Sequence, residues 1–428
     1  MTDSARVPHG PRELVELTGH VLDTGLFTLV LDDVRALGGD YEVVRFDVGK
    51  DAADTSTVRL AVTAPDARTL DSVVMRLHTH GANLVEVEPA RLVRVERDGV
   101  FPVDFYATTN LPTAVRLGER WVEVENPEMD CGLVVDADLG QDGTAEDGGE
   151  VRSVRTVPVS DVRAGSWLVC GAAGVRVTLP PARGGEHGFT FMQSEVSSEK
   201  PQALVVHQVA EQMRAVKESG QKVLWVLGPA VVHTGAAPSL AALVRGGWVD
   251  VMFGGNAIAT HDVEQSMYGT SLGVDLSAGS GVENGHEHHL RAINAVRAAG
   301  SLAAAVEQGV VTGGIMHALV VGGKQFVLVG SVRDDGPLPD VHTDVIEGQR
   351  AMRGALADVG FCIVVATMLH GVATGNVLPG HIPLVCVDIN PATVTKLADR
   401  GSAQARGVVT DVGLFCAALA RELTGSET

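Results

Sequence analysis

From about residue 203 to its end the chain alternates short apolar runs rich in β-branched residues with longer amphipathic stretches, and this rhythm leaves few folds open. The runs are KVLWVLGP, WVDVMFGG, QFVLVGSV, FCIVVA, PLVCVD and GVVTD, separated by helix-like segments such as HLRAINAVRAAGSLAAAVEQG and VIEGQRAMRGALADV. Strands alternating with helices of this length form βαβ units with right-handed crossovers, and continuous apolar runs suit a parallel sheet covered on both faces. Ligands of such sheets bind in the crevice outside the carboxyl ends of the strands.

The stretch Phe361 to Val412 shows one edge of that crevice most clearly. Asn390 is a good N-cap and Pro391 fits a first helical position, so Asp388 falls where a strand ends. An acid at such a place commonly accepts hydrogen bonds from ribose hydroxyls of a dinucleotide. The loops after the other runs form a matching set: Gly254, Gly255, Asn256 and Ala257; Ser331, Arg333, Asp334, Asp335 and Gly336; Thr367, Met368, Leu369 and His370; Asp411 and Val412. Small residues there allow close backbone approach, and amides at the start of a following helix attract pyrophosphate. The usual G-x-G-x-x-G is missing after the first run, where LGPAVVHTGAAPS stands, and the cluster Gly279 to Gly285 follows no strand. A plain dehydrogenase of the common dinucleotide-binding type is thereby disfavoured.

At 428 residues the chain exceeds one ordinary core, and its formal charge of -20 disfavours nucleic acid or an anionic membrane as main partner. No apolar run reaches the length of a membrane span, and Met1 to Pro11 lacks the apolar core of a signal peptide, so the cytoplasm is expected. Cys131, Cys170, Cys362, Cys386 and Cys416 include no C-x-x-C pair, and the last three are expected as small buried hydrophobes. His286, His288 and His289 read as exposed loop histidines in preference to a metal site, and no metal is expected.

The expected fold class is α/β with a parallel-sheet C-terminal domain, an N-terminal α+β module and a β-rich middle segment. The domains expected are a tail over 1–12, the module over 13–100, a β-rich domain over 101–190 and the catalytic domain over 191–428. In the module, Leu70, Val73, Val74 and Leu77 share one face of a helix spanning Ala67 to His80. FYATTNLPT, Phe105 to Thr113, is either a binding loop or a structural turn, and the acidic insertion Asp136 to Glu150 has the composition of a solvated loop.

The segments GPAVVHTGA, GGNAIATHDVEQSMYGTSLGVDL, GHEHHLRAINAVRAAGS, VGSVRDDGPLPDVHTDVI, ATMLHGVATGN and VCVDINPATVTKLADRGSAQARGVVTDVGLF closely resemble the archaeal-type, NAD-dependent ornithine cyclodeaminases. They also resemble the C-terminal part of the bifunctional arginine dihydrolase and ornithine cyclodeaminase of cyanobacteria. The opening module, FYATTNLPTAVRL and WVEVENPEMDCG are similar to the region shared with lysine-ketoglutarate reductase/saccharopine dehydrogenase. The resemblance implies a Rossmann-like domain akin to that of deoxyhypusine synthase. It implies NAD held by Asn256, Ala257, Asp335, Thr367 to His370, Asp388, Asn390, Asp411 and Val412. Arginine dihydrolase activity is not expected, because the relatives carry that domain ahead of this region.

The implied reaction, L-ornithine to L-proline and ammonia, is redox-neutral, so NAD must stay bound in a closed, water-poor crevice. Residue chemistry offers Arg333 or Lys396 as carboxylate clamp and Asp334 or Asp335 as acid/base or ammonium partner, while Lys396 and Arg400 equally suit a solvated helix face. Two other readings remain open: an NAD-dependent oxidoreductase of lysine-type amino acids, and an NAD-binding regulator without turnover. A homodimer or homotetramer is expected.

Overall fold

The computed structural model describes residues 10–19, 21, 25–50, 54–137, 139–140, 151–179, 202–271, 274–275, 288–334, 336–399 and 405–425. Asp335, Arg400, the cluster Gly279 to Gly285, His286 and the acidic insertion beyond residue 140 lie outside this set. The chain forms two compact units, one of Met1–Gly188 with Pro379–His381 and one of Phe189–Leu378 with Ile382–Thr428. No described helix is long and apolar enough to cross a membrane.

The first unit opens with β1 (Arg12–Gly19), α1 (Leu26–Ala36), β2 (Asp40–Asp47), β3 (Ser56–Thr63), α2 (Ala67–His78) and β4 (Asn83–Leu84). The strands lie in the antiparallel order β2-β3-β1-β4, the ferredoxin-like arrangement of a βαββαβ chain. Asp66 starts α2 by accepting the Thr69 N–H at 2.8 Å. The apolar face expected of this helix packs on Val15, Leu17, Val58, Leu60 and Val62, and the helix ends two residues before the expected His80.

Seven further strands follow: β5 (Arg91–Arg94), β6 (Thr113–Leu117), β7 (Arg120–Glu125), β8 (Gly132–Ala137), β9 (Val151–Val157), β10 (Trp167–Cys170) and β11 (Val175–Val177). They form one sheet in the order β11-β6-β7-β9-β8-β10-β5, antiparallel but for the pair β7 and β9. The segment Phe105 to Thr113 is a structural pin in this sheet. Thr108 is buried, its hydroxyl donates to the Glu128 carbonyl at 2.5 Å, and it accepts the Cys131 N–H at 3.0 Å.

The second unit runs α3 (Gln202–Glu218), β12 (Lys222–Leu227), α4 (Ala230–His233), α5 (Ala237–Arg245), β13 (Val251–Gly254), α6 (Asn256–Tyr268), β14 (Thr270–Ser271), β15 (Val274–Asp275), α7 (His288–Ala299), α8 (Leu302–Glu307) and α9 (Gly314–Val321). It continues with β16 (Gln325–Val329), β17 (Val341–His342), α10 (Val345–Gly354), β18 (Val359–Val365), α11 (Leu369–Val377), β19 (Leu384–Asp388), α12 (Pro391–Asp399), β20 (Ala405–Val409) and α13 (Val412–Thr424). All six apolar runs are strands of one parallel sheet, and the short β17 joins its edge.

Alternation along these strands feeds two cores. Val223, Trp225, Leu227, Phe361, Ile363 and Val365 face a layer containing α3, α5, α6, α9 and α13, while Leu224, Val226, Cys362 and Val364 face α10, α11 and α12. The stretch that reads as one long helix before β16 breaks at Gly300, after which the Ser301 hydroxyl caps α8 by accepting the Ala304 N–H at 3.0 Å. Near the start of the sheet Asp250 accepts from Lys217 Nζ at 2.8 Å, Lys324 Nζ at 3.2 Å and the Val223 N–H at 3.0 Å. All five cysteines are free and buried.

One buried group carries a pH dependence. His78 of α2 is wholly buried, with Nδ1 3.3 Å from the Tyr106 hydroxyl and Nε2 without a hydrogen-bond partner among the described residues. Burial pulls its pKa from the ordinary 6.5 down to about 4. The unfolded chain therefore binds a proton that the folded chain refuses: stability is full above the unfolded pKa and declines as pH falls towards the folded one. Urea titrations should show a loss approaching roughly 3 kcal/mol from this group near pH 4, and His78→Phe should flatten that portion of the pH dependence. A variant whose slope between neutral pH and pH 4 equals the parent's would remove His78 as the cause.

Candidate functional site

The sheet order β17-β16-β13-β12-β18-β19-β20 contains a reversal. From β12 the chain moves outward through β13 and β16, then returns to the other flank of β12 with β18 and continues through β19 and β20. Setting aside the edge strand β17, this is the doubly wound order 3-2-1-4-5-6, whose crevice opens at the carboxyl ends of strands one and four. Here those strands are β12 and β18.

The turn after β12 is closed against its neighbour. The Gly228 N–H donates to the Val365 carbonyl at 2.9 Å, and a Cβ on Gly228 would stand 1.9 Å from the Ala366 carbonyl oxygen. No glycine-rich phosphate loop forms at this position, in keeping with the absent fingerprint.

An equivalent of the fingerprint occurs instead in the second half, at β18–α11–β19. Ala366 ends the strand with φ 53°, the left-handed conformation that a first fingerprint glycine normally supplies. Gly371 in α11 faces Val364, where a Cβ would lie 2.8 Å from its Cγ1, so only glycine lets this helix approach the strand so closely. The N-cap of α11, Met368, supplies no side-chain cap, leaving first-turn amides suited to an anion. Asp388 then ends the next strand, mostly buried, with Oδ1 accepting the Asn390 N–H at 2.8 Å. Asn390 in turn accepts the Ala392 N–H at 3.0 Å at the start of α12.

Across the switch point α6 begins at Asn256 with Gly255 as N-cap and again no side-chain cap. Asn256 donates from Nδ2 to Asp334 Oδ1 at 3.3 Å and accepts the Leu338 N–H at 3.1 Å, so it ties the loop after β16 to the end of β13. Asp334 Oδ2 accepts the Ser331 N–H at 2.6 Å. His370 reaches from α11 over Gly255, with Nε2 3.3 Å from the Val329 carbonyl at the end of β16. Burial dominates in lowering its pKa, which favours the neutral ring. Met368, Leu369, Ile389 and Leu414 are exposed apolar side chains along the same rim.

The residues singled out from sequence thus distribute unevenly. Asn256, Ala257, Asp334, Thr367, Met368, Leu369 and His370 gather around the switch point, Asp388 and Asn390 sit at the next strand, and Asp411 with Val412 sit beyond β20, where Asp411 caps α13 through the Leu414 N–H at 2.8 Å. Arg333 is exposed on the loop after β16. Lys396 lies in the last turn of α12 on its exposed face, because Val394 and Leu397 take the inward positions. Sequence reasoning passed over Ala366 and Gly371, which the spacing A-T-M-L-H-G after an apolar run could have flagged. It also passed over buried His261 and Glu264 in α6.

Fold and site together define a doubly wound protein with a nucleotide crevice built mainly on its second βαβ unit. Residues 207–419 match the family profile described as arginine dihydrolase ArgZ-like, C-terminal, Rossmann fold; residues 112–206 match the first region of that C-terminal part, and residues 12–111 match the LOR/SDH bifunctional enzyme conserved region. An ornithine cyclodeaminase of Methanothermobacter thermautotrophicus is 47% identical over 96% of this chain and 97% of its own length. The crystal structure of apo ArgZ, a cyanobacterial arginine dihydrolase, superposes with a TM-score of 0.82 at 35% identity, covering 97% of this chain and 58% of that one. The complex of the Nostoc protein AgrE with ornithine and NAD+ matches with a TM-score of 0.51 at 38% identity over the same shares. The chain belongs to the family of the archaeal ornithine cyclodeaminases, which includes the C-terminal region of the ArgZ-like arginine dihydrolases.

The close approach at the switch point is testable. Gly228→Ala places a methyl group inside contact distance of a backbone oxygen, and separating β12 from β18 to relieve it should cost about 1–3 kcal/mol or more. A urea midpoint equal to the parent's would show that the turn can yield.

Proposed function

We propose that this protein is an NAD-dependent ornithine cyclodeaminase that converts L-ornithine to L-proline and ammonia. The observation that carries the reading is the second-half nucleotide unit β18–α11–β19, formed by a chain of this family with its crevice at the switch point. When bound, NAD takes hydride from the substrate α-carbon and returns it to the cyclic imine. The uncapped first turns of α11 and α6 suit its pyrophosphate, Asp388 suits ribose hydroxyls, and the exposed apolar rim suits the faces of its rings. Asn256, Ala257, Thr367 to His370, Asn390, Asp411, Val412 and Asp335 complete the proposed cofactor shell.

For the substrate, the geometry favours Arg333 over Lys396 as clamp for the α-carboxylate, because Arg333 stands on a strand-end loop while Lys396 is on the outer face of α12. Asp334 is engaged at both oxygens and serves to hold its loop, which leaves Asp335 as the proposed ammonium partner. The match of residues 12–111 to the LOR/SDH region supports a second reading, an amino-acid oxidoreductase. We further place the protein in the cytoplasm, where free buried cysteines are at home, as a homo-oligomer in proline formation.

Incubated with L-ornithine and catalytic NAD, the protein should yield proline and ammonia in equal amounts without net NADH. Net NADH without proline would move the assignment to the oxidoreductase. Asp388→Asn, which keeps an acceptor but loses the charge, should weaken NAD binding by about 10-fold, the worth of one charge-assisted hydrogen bond. Unchanged affinity by calorimetry would remove Asp388 from the ribose site.

A further inference from the structure

Helix α6 is buried on almost every side, yet Asn256, Thr260, His261, Asp262 and Glu264 on it are each no more than 9% exposed. Burying such groups is costly unless each is hydrogen-bonded, so each needs an account. Asn256 ties two loops, and the Thr260 hydroxyl donates to it at 3.2 Å. Asp262 caps α9, accepting the Ile315 and Met316 N–H groups at 2.8 and 2.7 Å, and Gly314 is fixed there because a Cβ would meet that carboxylate at 2.6 Å. These contacts account for the burial of all three. His261 and Glu264 are not explained by helix building.

Their hydrogen bonds run in one direction. Thr270 donates its single hydroxyl proton to Glu264 Oε1 at 3.0 Å, so the contact of 2.8 Å between Thr270 Oγ1 and His288 Nδ1 has the histidine as donor. Glu264 Oε2 lies 3.1 Å from His261 Nδ1, and with the carboxylate accepting at both oxygens it is this nitrogen that carries the proton. The lone pair of the neutral His261 ring is then on Nε2. Against this ring stands His233 of α4, centroids 4.9 Å apart, with its own Nδ1 2.7 Å from Ser271 Oγ. Among the described residues, the titratable groups facing His261 are Glu264, His233 and, through Thr270, His288, while Asp262 turns to α9. Because α6 rises 1.5 Å per residue, His261 lies roughly 8 Å along the helix from Asn256 at the crevice.

We propose that His261, oriented by Glu264 and backed by His233, is the proton carrier of the ornithine reaction, with Glu264 as its positioning residue. The inference rests on the cyclodeaminase reading. Ornithine carries one net positive charge, and zwitterionic proline plus ammonium carry the same, so the reaction releases no proton overall. Both amines must still be freed: the α-ammonium loses its proton to solvent as the substrate binds, and proline regains one on release, while one group inside the closed crevice borrows the δ-ammonium proton and returns it. The Nε2 lone pair of His261 takes this proton from the substrate δ-ammonium, leaving a free amine and an imidazolium paired with Glu264. The imidazolium later gives that proton to departing ammonia, forming ammonium and restoring the neutral ring. No other oxidant or co-reactant is needed beyond the NAD of the main reaction.

The experiment uses the full chain with NAD. Rates of proline formation are measured across pH for the parent, His261→Gln, Glu264→Gln and Glu264→Asp, alongside NAD affinity and thermal unfolding. His261→Gln should lower kcat by about 10²-fold or more with NAD affinity kept. Glu264→Gln should lower kcat at least ~10-fold and move the acidic limb of its pH profile to lower pH, since the imidazolium has lost its carboxylate, while Glu264→Asp restores part of both. Folded Gln variants with parental kcat and an unmoved acidic limb would overturn the proposal while leaving the cyclodeaminase standing. If the Gln variants fail to fold, nitrogen NMR of the parent decides: a neutral His261 protonated at Nδ1, titrating with the acidic limb, supports the proposal, and the Nε2–H form overturns it. A parent that binds NAD but makes no proline from ornithine overturns the cyclodeaminase reading, and this inference with it.

Discussion

The pairing of β12 with β18 is the contact on which the second unit depends. These strands are neighbours in space and far apart in sequence, and their joint carboxyl end is the one place where no crossover helix can fill the gap. The backbones meet there without side chains between them, Gly228 against Ala366, and Ala366 is pinned by its own N–H to the Val387 carbonyl at 3.0 Å. A non-glycine residue in the left-handed region costs of order 1–2 kcal/mol, and it persists only where such neighbours over-determine it. The strain has a consequence: it swings the chain from strand into α11 so that the helix's first turn opens on the crevice.

Carboxylates at that edge do two things at once. Asp334, Asp388 and Asp411 each accept a backbone N–H of their own loop, from Ser331, Asn390 and Leu414. Each loop is thereby held in one conformation before any ligand arrives, which removes part of the ordering entropy that binding would otherwise cost. The opposite edge shows a different economy, with Asp250 neutralised by two lysines and burial more than offset by their hydrogen bonds, so its pKa falls. Charge at one edge is closed off, and at the other it is left beside amide-rich helix starts.

Much of this was legible in the sequence, and what was missed has physical reasons. Strand runs such as FCIVVA announce themselves because β-branched residues buried on both faces have few other homes. The nucleotide unit was harder, since an alanine stands where the turn needs φ 53° and nothing in the residue type signals a left-handed backbone. Lys396 reads as a clamp candidate because a charge close after a strand end looks available, and equally as a solvated helix face because Val394 and Leu397 at helical spacing take the inward positions. The segment THDVEQSMYGTS looks like an ordinary polar helix face. Only the fold shows that α4 and α7 cover it, with His233 and His288 arriving from chain segments on either side.

That last feature bears on how one site could manage both hydride and proton. A redox-neutral cyclisation fails if water intercepts the imine, so the proposed site has to be dry, and dryness makes every unpaired charge expensive. Glu264 is fully buried, with the Thr270 hydroxyl donating to one oxygen and the His261 ring set against the other. A ring held against such a carboxylate accepts a proton without leaving a bare cation in a low-dielectric interior. Water exclusion and proton storage, which oppose each other when a lone group must do both, are reconciled when the counter-charge is already built into the same helix.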